Sequence, residues 1–120
     1  MKRDMELVRE ILKKAEEANE FLNAKNLETE KYSHDTVGYH IRIMDEGGLI
    51  SASFKSADRD PYYFVCINRL TWEGHGYLDA VRSDTVWAKT KSKLGNSIET
   101  VSLSVIKAVA EGVAKAQLGM

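Results

Sequence analysis

The sequence predicts an α+β fold in which a capped helix stops at a glycine pair, passes directly into an antiparallel hairpin, and is followed by further helices. Three observations carry this. Ser33 precedes a run in which Val37, Ile41 and Met44 fall at i, i+4 and i+7, one apolar stripe of a helix, with His40 beside it. Gly47-Gly48 ends that run. Leu49–Phe54 and Tyr62–Leu70 are rich in β-branched and aromatic residues, and the polar Lys55–Pro61 between them closes on the only proline. A helix handed over to a two-stranded wing in this order is a winged helix-turn-helix, with a β-hairpin wing and additional C-terminal helices.

The other elements follow in order. Asp4 caps a first helix from Met5 to about Ala18, with Val8, Ile11, Leu12 and Ala15 as its buried stripe and Arg9, Lys13, Glu16 and Glu17 facing water. Asn23–Asn26 reads as a loop and Leu27–Tyr32 as a short half-exposed strand, where a standard winged helix has a second helix. The Ser33–Glu46 helix then leaves Asp35, Thr36, Gly38, Tyr39 and Arg42 outward. Thr71 caps a further helix with Leu78 and Val81 inward and Trp72 and Tyr77 on its edges; Ser83-Asp84 offers a second cap, so the run to Leu94 is one kinked helix or two short ones. Gly74 and Gly76 mark tight packing. Gly95-Asn96 is a stop, and a last helix spans Ile98–Gln117 with two apolar stripes, Val101/Val105/Val109/Ala116 and Leu103/Ile106/Ala110/Val113. The chain is read as one domain, 1–120, with a core of 1–94 and a C-terminal helix, 97–118, that can join two copies.

Composition bounds the function. At 120 residues, 43% hydrophobic and 29% charged, this is an ordinary globular chain with a core of useful size. Cys66 is the only cysteine, set among Phe64, Val65 and Ile67, so a buried, inert thiol is expected and no disulfide. No segment approaches the roughly 18 apolar residues of a membrane span, and MKRDMELVRE lacks a leader's apolar core, so a cytoplasmic protein without membrane contact is expected. Seventeen Lys and Arg against eighteen Asp and Glu give a net charge of −1, where dedicated DNA binders carry a basic surplus.

Chemistry-bearing patterns are absent. His34, His40 and His75 lack ligand-type partners at helical spacing, so no metal is assigned. There is no phosphate loop and no nucleophile–base arrangement, so neither catalysis nor a cofactor is expected.

Three blocks, MKRDMELVREIL, YHIRIMDEGGLISA and RLTWEGHGYLDAVRSDTVWAKTK, resemble a family of small bacterial and phage proteins, the domain of unknown function 2513. The resemblance runs from Met1 to about Leu94, and the tail through AKAQLGM fits it. The third block is the most specific, with Trp72, Gly74, His75, Leu78, Asp79, Arg82, Asp84 and Trp87 together. The middle block is also similar to winged-helix repressors of the MarR, PadR and ArsR types, whose reading helices end in a like handover. The family implies a winged-helix-like fold and a bacterial or phage setting, not an activity. Against the repressor pattern, the helix carries Asp35, Asp45 and Glu46 with Arg42 alone.

Two functions follow as expectations. In the first, a homodimer binds double-stranded DNA as a transcriptional or phage regulator: Thr36, Tyr39 and Arg42 enter the major groove, His34 reaches a phosphate, and Lys55 and Arg59 flank it from the wing. Dimerisation would use Leu103, Ile106, Val109 and Val113. In the second, the same unit binds a protein partner and no DNA.

Overall fold

The computed structural model describes residues 1–119. Asp4 caps α1 (Met5–Glu17) through a bond from the Leu7 amide, as its place before an apolar stripe requires. A two-residue strand β1 (Leu22–Asn23) follows, then a single 3-10 turn over Ala24–Leu27. Helix α2 (His34–Glu46) starts at Ser33, whose hydroxyl accepts from the Thr36 amide. It ends at Gly47, and Gly48 takes φ +80, a conformation that glycine adopts without a Cβ penalty. Strands β2 (Ile50–Ala57) and β3 (Asp60–Leu70) pair antiparallel, from Ile50 opposite Leu70 to Ala57 opposite Asp60. β1 joins the other side of β3 at Ile67 and Cys66, giving a three-stranded antiparallel sheet in the order β1-β3-β2. Helices α3 (Trp72–Val81), α4 (Asp84–Leu94) and α5 (Leu103–Gln117) complete an α+β architecture of five helices and this sheet among the described residues.

The core is continuous through these elements. Ile11 and Leu12 of α1, Val37 and Ile41 of α2, Ile67 of β3, Leu78 and Val81 of α3 and Ile106 of α5 are all essentially without solvent contact. Gly74 lets α3 lie on the α2–β2 handover, because a Cβ there would stand 1.9 Å from the Leu49 carbonyl oxygen. His40, fully buried, ties α2 to the start of α1. Its Nε2 accepts from the Asp4 amide at 2.8 Å, so Nδ1 carries the proton and donates to the Thr36 carbonyl at 2.8 Å. Burial pushes the Cys66 thiol up, consistent with an inert core cysteine.

Several sequence expectations are corrected. Leu27–Tyr32 is not a strand: the Thr29 amide donates to the Tyr32 carbonyl and Thr29 Oγ1 accepts from the Tyr32 amide, closing a local turn, and the strand falls earlier, at Leu22–Asn23. The hairpin loop shrinks from Lys55–Pro61 to Asp58-Arg59, with Arg59 at φ 64. The last helix begins at Leu103, capped by Ser102, while Gly95–Glu99 forms a 3-10 turn. Arg3 donates to the carbonyls of Glu99 and Val101 and so ties this connection to the residues before α1.

Side-chain placement also differs. Tyr77 is buried, and Trp72 is 89% exposed instead of covering an edge. Arg9 does not face water: it is buried where α1 meets the α3–α4 junction. Its Nε donates to the Val81 carbonyl at 2.8 Å, and Nη2 donates to the Arg82 carbonyl at 2.8 Å and to Asp84 at 2.6 Å. Those carbonyls close α3, so Arg9 supplies donors that the helix end lacks. Ile106 and Val113, offered as dimer contacts, lie at 0% and 4% exposure in the chain's own core. The heptad-like stripe that carries them, with Ala110, is the one α5 turns inward.

Candidate interaction face

The outward side of α2 and the adjoining hairpin form the face on which the sequence places its candidate residues, and the structure gives several of them partners within the chain. Arg42 is half-buried, its guanidinium 3.8 Å from the centre of the Phe54 ring on β2. Lys55 follows Phe54 and lies on the opposite side of the hairpin, where it pairs in register with Phe64 and its ammonium sits 5.9 Å from that ring. Arg42 and Lys55 therefore do not address one surface. Arg59 stands apart at the turn, between Asp58 and Asp60.

His34, read as a phosphate contact, is engaged by carboxylates of the chain itself. Its Nδ1 lies 2.7 Å from Glu28 and its Nε2 3.0 and 3.1 Å from the two oxygens of Asp60. Carboxylates only accept, so both ring nitrogens must carry protons for both contacts to be hydrogen bonds. Glu28 first, then Asp60, hold its pKa above the ordinary imidazole value. Asp35 brings a third carboxylate to the same place. Spacing along one helix could not reveal this, because Asp60 is 26 residues away on β3.

The rest of the face is acidic or apolar. Ser33 Oγ and Thr36 Oγ1 are 3.0 Å apart, so Thr36 is engaged in the helix cap. Gly38 is covered by Tyr62, whose ring a Cβ would meet at 2.3 Å. Asp35 and Glu46 are exposed, and Asp45 accepts from the Ala52 amide. Tyr39 and Ile43 instead border a groove of about 380 Å³ between α2, the start of α1 and the start of α5, walled by Met5, Val8 and Leu103, with Arg3 on its rim. At the C-terminal end of α2 the Thr71 hydroxyl donates to the Gly48 carbonyl, which sets exposed Trp72 beside that end of the face.

Fold and face together define the class: a small α+β protein organised around a helix-and-hairpin unit, in which no helix among the described residues is long and apolar enough to cross a membrane. Within that class, the chain belongs to the family described as "Hypothetical protein (DUF2513)", which matches residues 2–101. A Haemophilus influenzae protein described as "Uncharacterized protein" is 33% identical over 114 residues, covering 94% of this chain and 95% of its own. No solved structure matches the chain.

Proposed function

We propose that the protein is a winged-helix module whose α2 face receives a protein partner instead of duplex DNA. The order α1, β1, a single turn, α2 and then the β2–β3 hairpin supports the winged-helix reading, with the Ala24–Leu27 turn standing where a fuller second helix would be. The observation that carries the functional reading is the charge of the face. Asp35, Asp45 and Glu46 on α2, and Asp58 and Asp60 at the hairpin turn, outnumber Arg42 and Arg59. Phosphate binding rests on cations free to displace counterions, and here Arg42 is stacked on Phe54.

Beside the acidic residues lie the apolar groove of Tyr39, Ile43 and Leu103 and the exposed indole of Trp72. Aromatic anchors next to a pocket, rimmed by charge, are the composition of protein-binding hot spots. The partner this face fits carries an apolar anchor with basic flanks. A photo-crosslinking amino acid in place of Tyr39, in cells producing the full chain, tests this. A discrete protein adduct that survives nuclease, and is lost when Ile43 is replaced by Asp, is the expected result. An adduct that nuclease removes would restore the DNA reading.

A further inference from the structure

The cluster around His34 has more anionic charge than its own residues balance. Glu28 comes from the segment before α2, Asp35 from the first turn of α2, and Asp60 from the start of β3; Glu28 and Asp60 both contact one imidazole, and Asp35 lies within 4.8 Å of it and of Asp60. A carboxylate at the position of Asp35 alone would need no more than the helix dipole to explain it. That account does not extend to Glu28 and Asp60, which belong to other elements. Among the described residues, none of the three carboxylates pairs with a Lys or Arg; the ion pairs of Glu28 and Asp60 are both with His34. Even with His34 protonated, three negative charges face one positive charge.

We propose that His34, Asp35 and Asp60 form a divalent-cation site that fastens the hairpin turn to the N-terminus of α2. The distances suit it. One ligand atom from each of the three residues lies within 4.8 Å of the others. His34 Nε2 and the Asp60 oxygens stand 3.0 and 3.1 Å apart. Tetrahedral ligands about a zinc ion at ~2.1 Å are separated by about 3.4 Å, so this pair opens by a few tenths of an ångström to admit it. The cation takes the place of the Nε2 proton, which is released to solvent, and Nδ1 keeps its proton for Glu28.

Glu28 thus orients the ring from behind, as carboxylates do for ligating histidines. Asp60 is oriented in turn, its Oδ1 accepting from the Tyr62 amide at 2.9 Å. Asp35 is exposed, so solvent reaches that side of the cluster and can complete the coordination. One imidazole with two carboxylates selects a first-row cation such as Zn²⁺ over Mg²⁺, which prefers oxygen alone. The site shares Asp35 and Asp60 with the acidic face of the protein-binding reading, and titration of the isolated chain tests it separately.

Isothermal titration of the full chain with Zn²⁺, and separately with Mg²⁺, tests it, with circular dichroism to verify folding of each variant. The expected result is one Zn²⁺ per chain, a higher Tm in its presence, and much weaker Mg²⁺ binding. His34→Gln and Asp60→Asn should abolish Zn²⁺ binding. Asp35→Asn, at an exposed position that the fold does not need, should weaken it. Glu28→Gln should weaken it about tenfold or more while leaving the stoichiometry unchanged. Absence of saturable Zn²⁺ binding by the folded wild-type chain overturns the proposal. So does binding that persists unchanged in folded His34→Gln, Asp60→Asn and Asp35→Asn, which would place the ion elsewhere, for example at His75 and Glu16.

Discussion

The junction around Arg9 and the hairpin turn around His34 both gather charge, and they balance it differently. Arg9 is buried, and every one of its contacts is a complementary acceptor: two carbonyls that end α3, the Asp84 carboxylate, and the face of Trp87 at 5.7 Å. Trp87 in turn donates to Glu6, which also holds Lys91. Positive and negative groups alternate there and tie α1 to α3 and α4. His34 is half-exposed with carboxylates of Glu28, Asp35 and Asp60 around it. A buried guanidinium with its Nε and Nη2 donors directed at acceptors is a device of stability, whereas a cluster with unbalanced carboxylates is poised to take something from solution.

That contrast can be broken by substitution. The largest effect belongs to the core that the junction supports. Ile106→Glu or Val113→Glu places a charge where exposure is 0% or 4%, and the chain should lose its cooperative thermal transition. Val105→Glu or Ala116→Glu, at exposed positions on the outer stripe of α5, should leave the transition in place. Any homodimer through α5 would have to use that outer stripe, and sedimentation equilibrium of these folded variants reads whether it does. Arg9→Met comes next: it leaves the Val81 and Arg82 carbonyls without their donor and should cost about 3 kcal/mol in urea melts. A loss under ~1 kcal/mol would mean the junction is held by packing alone. His34→Gln, in chelator, should cost less than ~1 kcal/mol, as exposed ion pairs do. Equal losses for Arg9→Met and His34→Gln would erase the distinction. Arg42→Ala should cost about 0.5–1 kcal/mol through the lost stacking on Phe54.

How much of this was legible in the sequence follows the range of each interaction. Ser33, Thr71 and Ser83 announce their helices because a cap acts on amides two or three residues on. The Val37/Ile41/Met44 stripe and the β2–β3 pairing follow from local periodicity for the same reason. Arg9 was read as solvent-facing because its partners are some seventy residues away, on another helix end. The α5 stripes were both visible, but nothing local says which one faces the core. The face suffered most. His34, Arg42 and Lys55 share a plausible list of phosphate contacts, yet Glu28 with Asp60, Phe54 and Phe64 each claim one of them.

The smallest expected effect is on acid stability. Arg82 holds Glu16 through two bonds of 2.7 Å and lowers its carboxyl below the ordinary 4.5. A carboxyl depressed in the folded state adds stability that is present above its unfolded value and lost as pH falls through the folded one. Stability should therefore decline from about pH 5 downward, with a shallower decline in Glu16→Gln, measured as urea midpoints between pH 3 and 6.

The central claim is that the α2 face is not a phosphate reader, and the salt dependence of DNA affinity tests it most directly. Fluorescence anisotropy of a labelled 20-base-pair duplex, titrated with the full chain at several salt concentrations, gives the slope of log K against log salt. The account predicts no saturable binding near physiological salt and no slope that Arg42→Ala changes. Binding whose slope approaches roughly −0.9 per phosphate contacted, reduced by about one contact in Arg42→Ala, would contradict it.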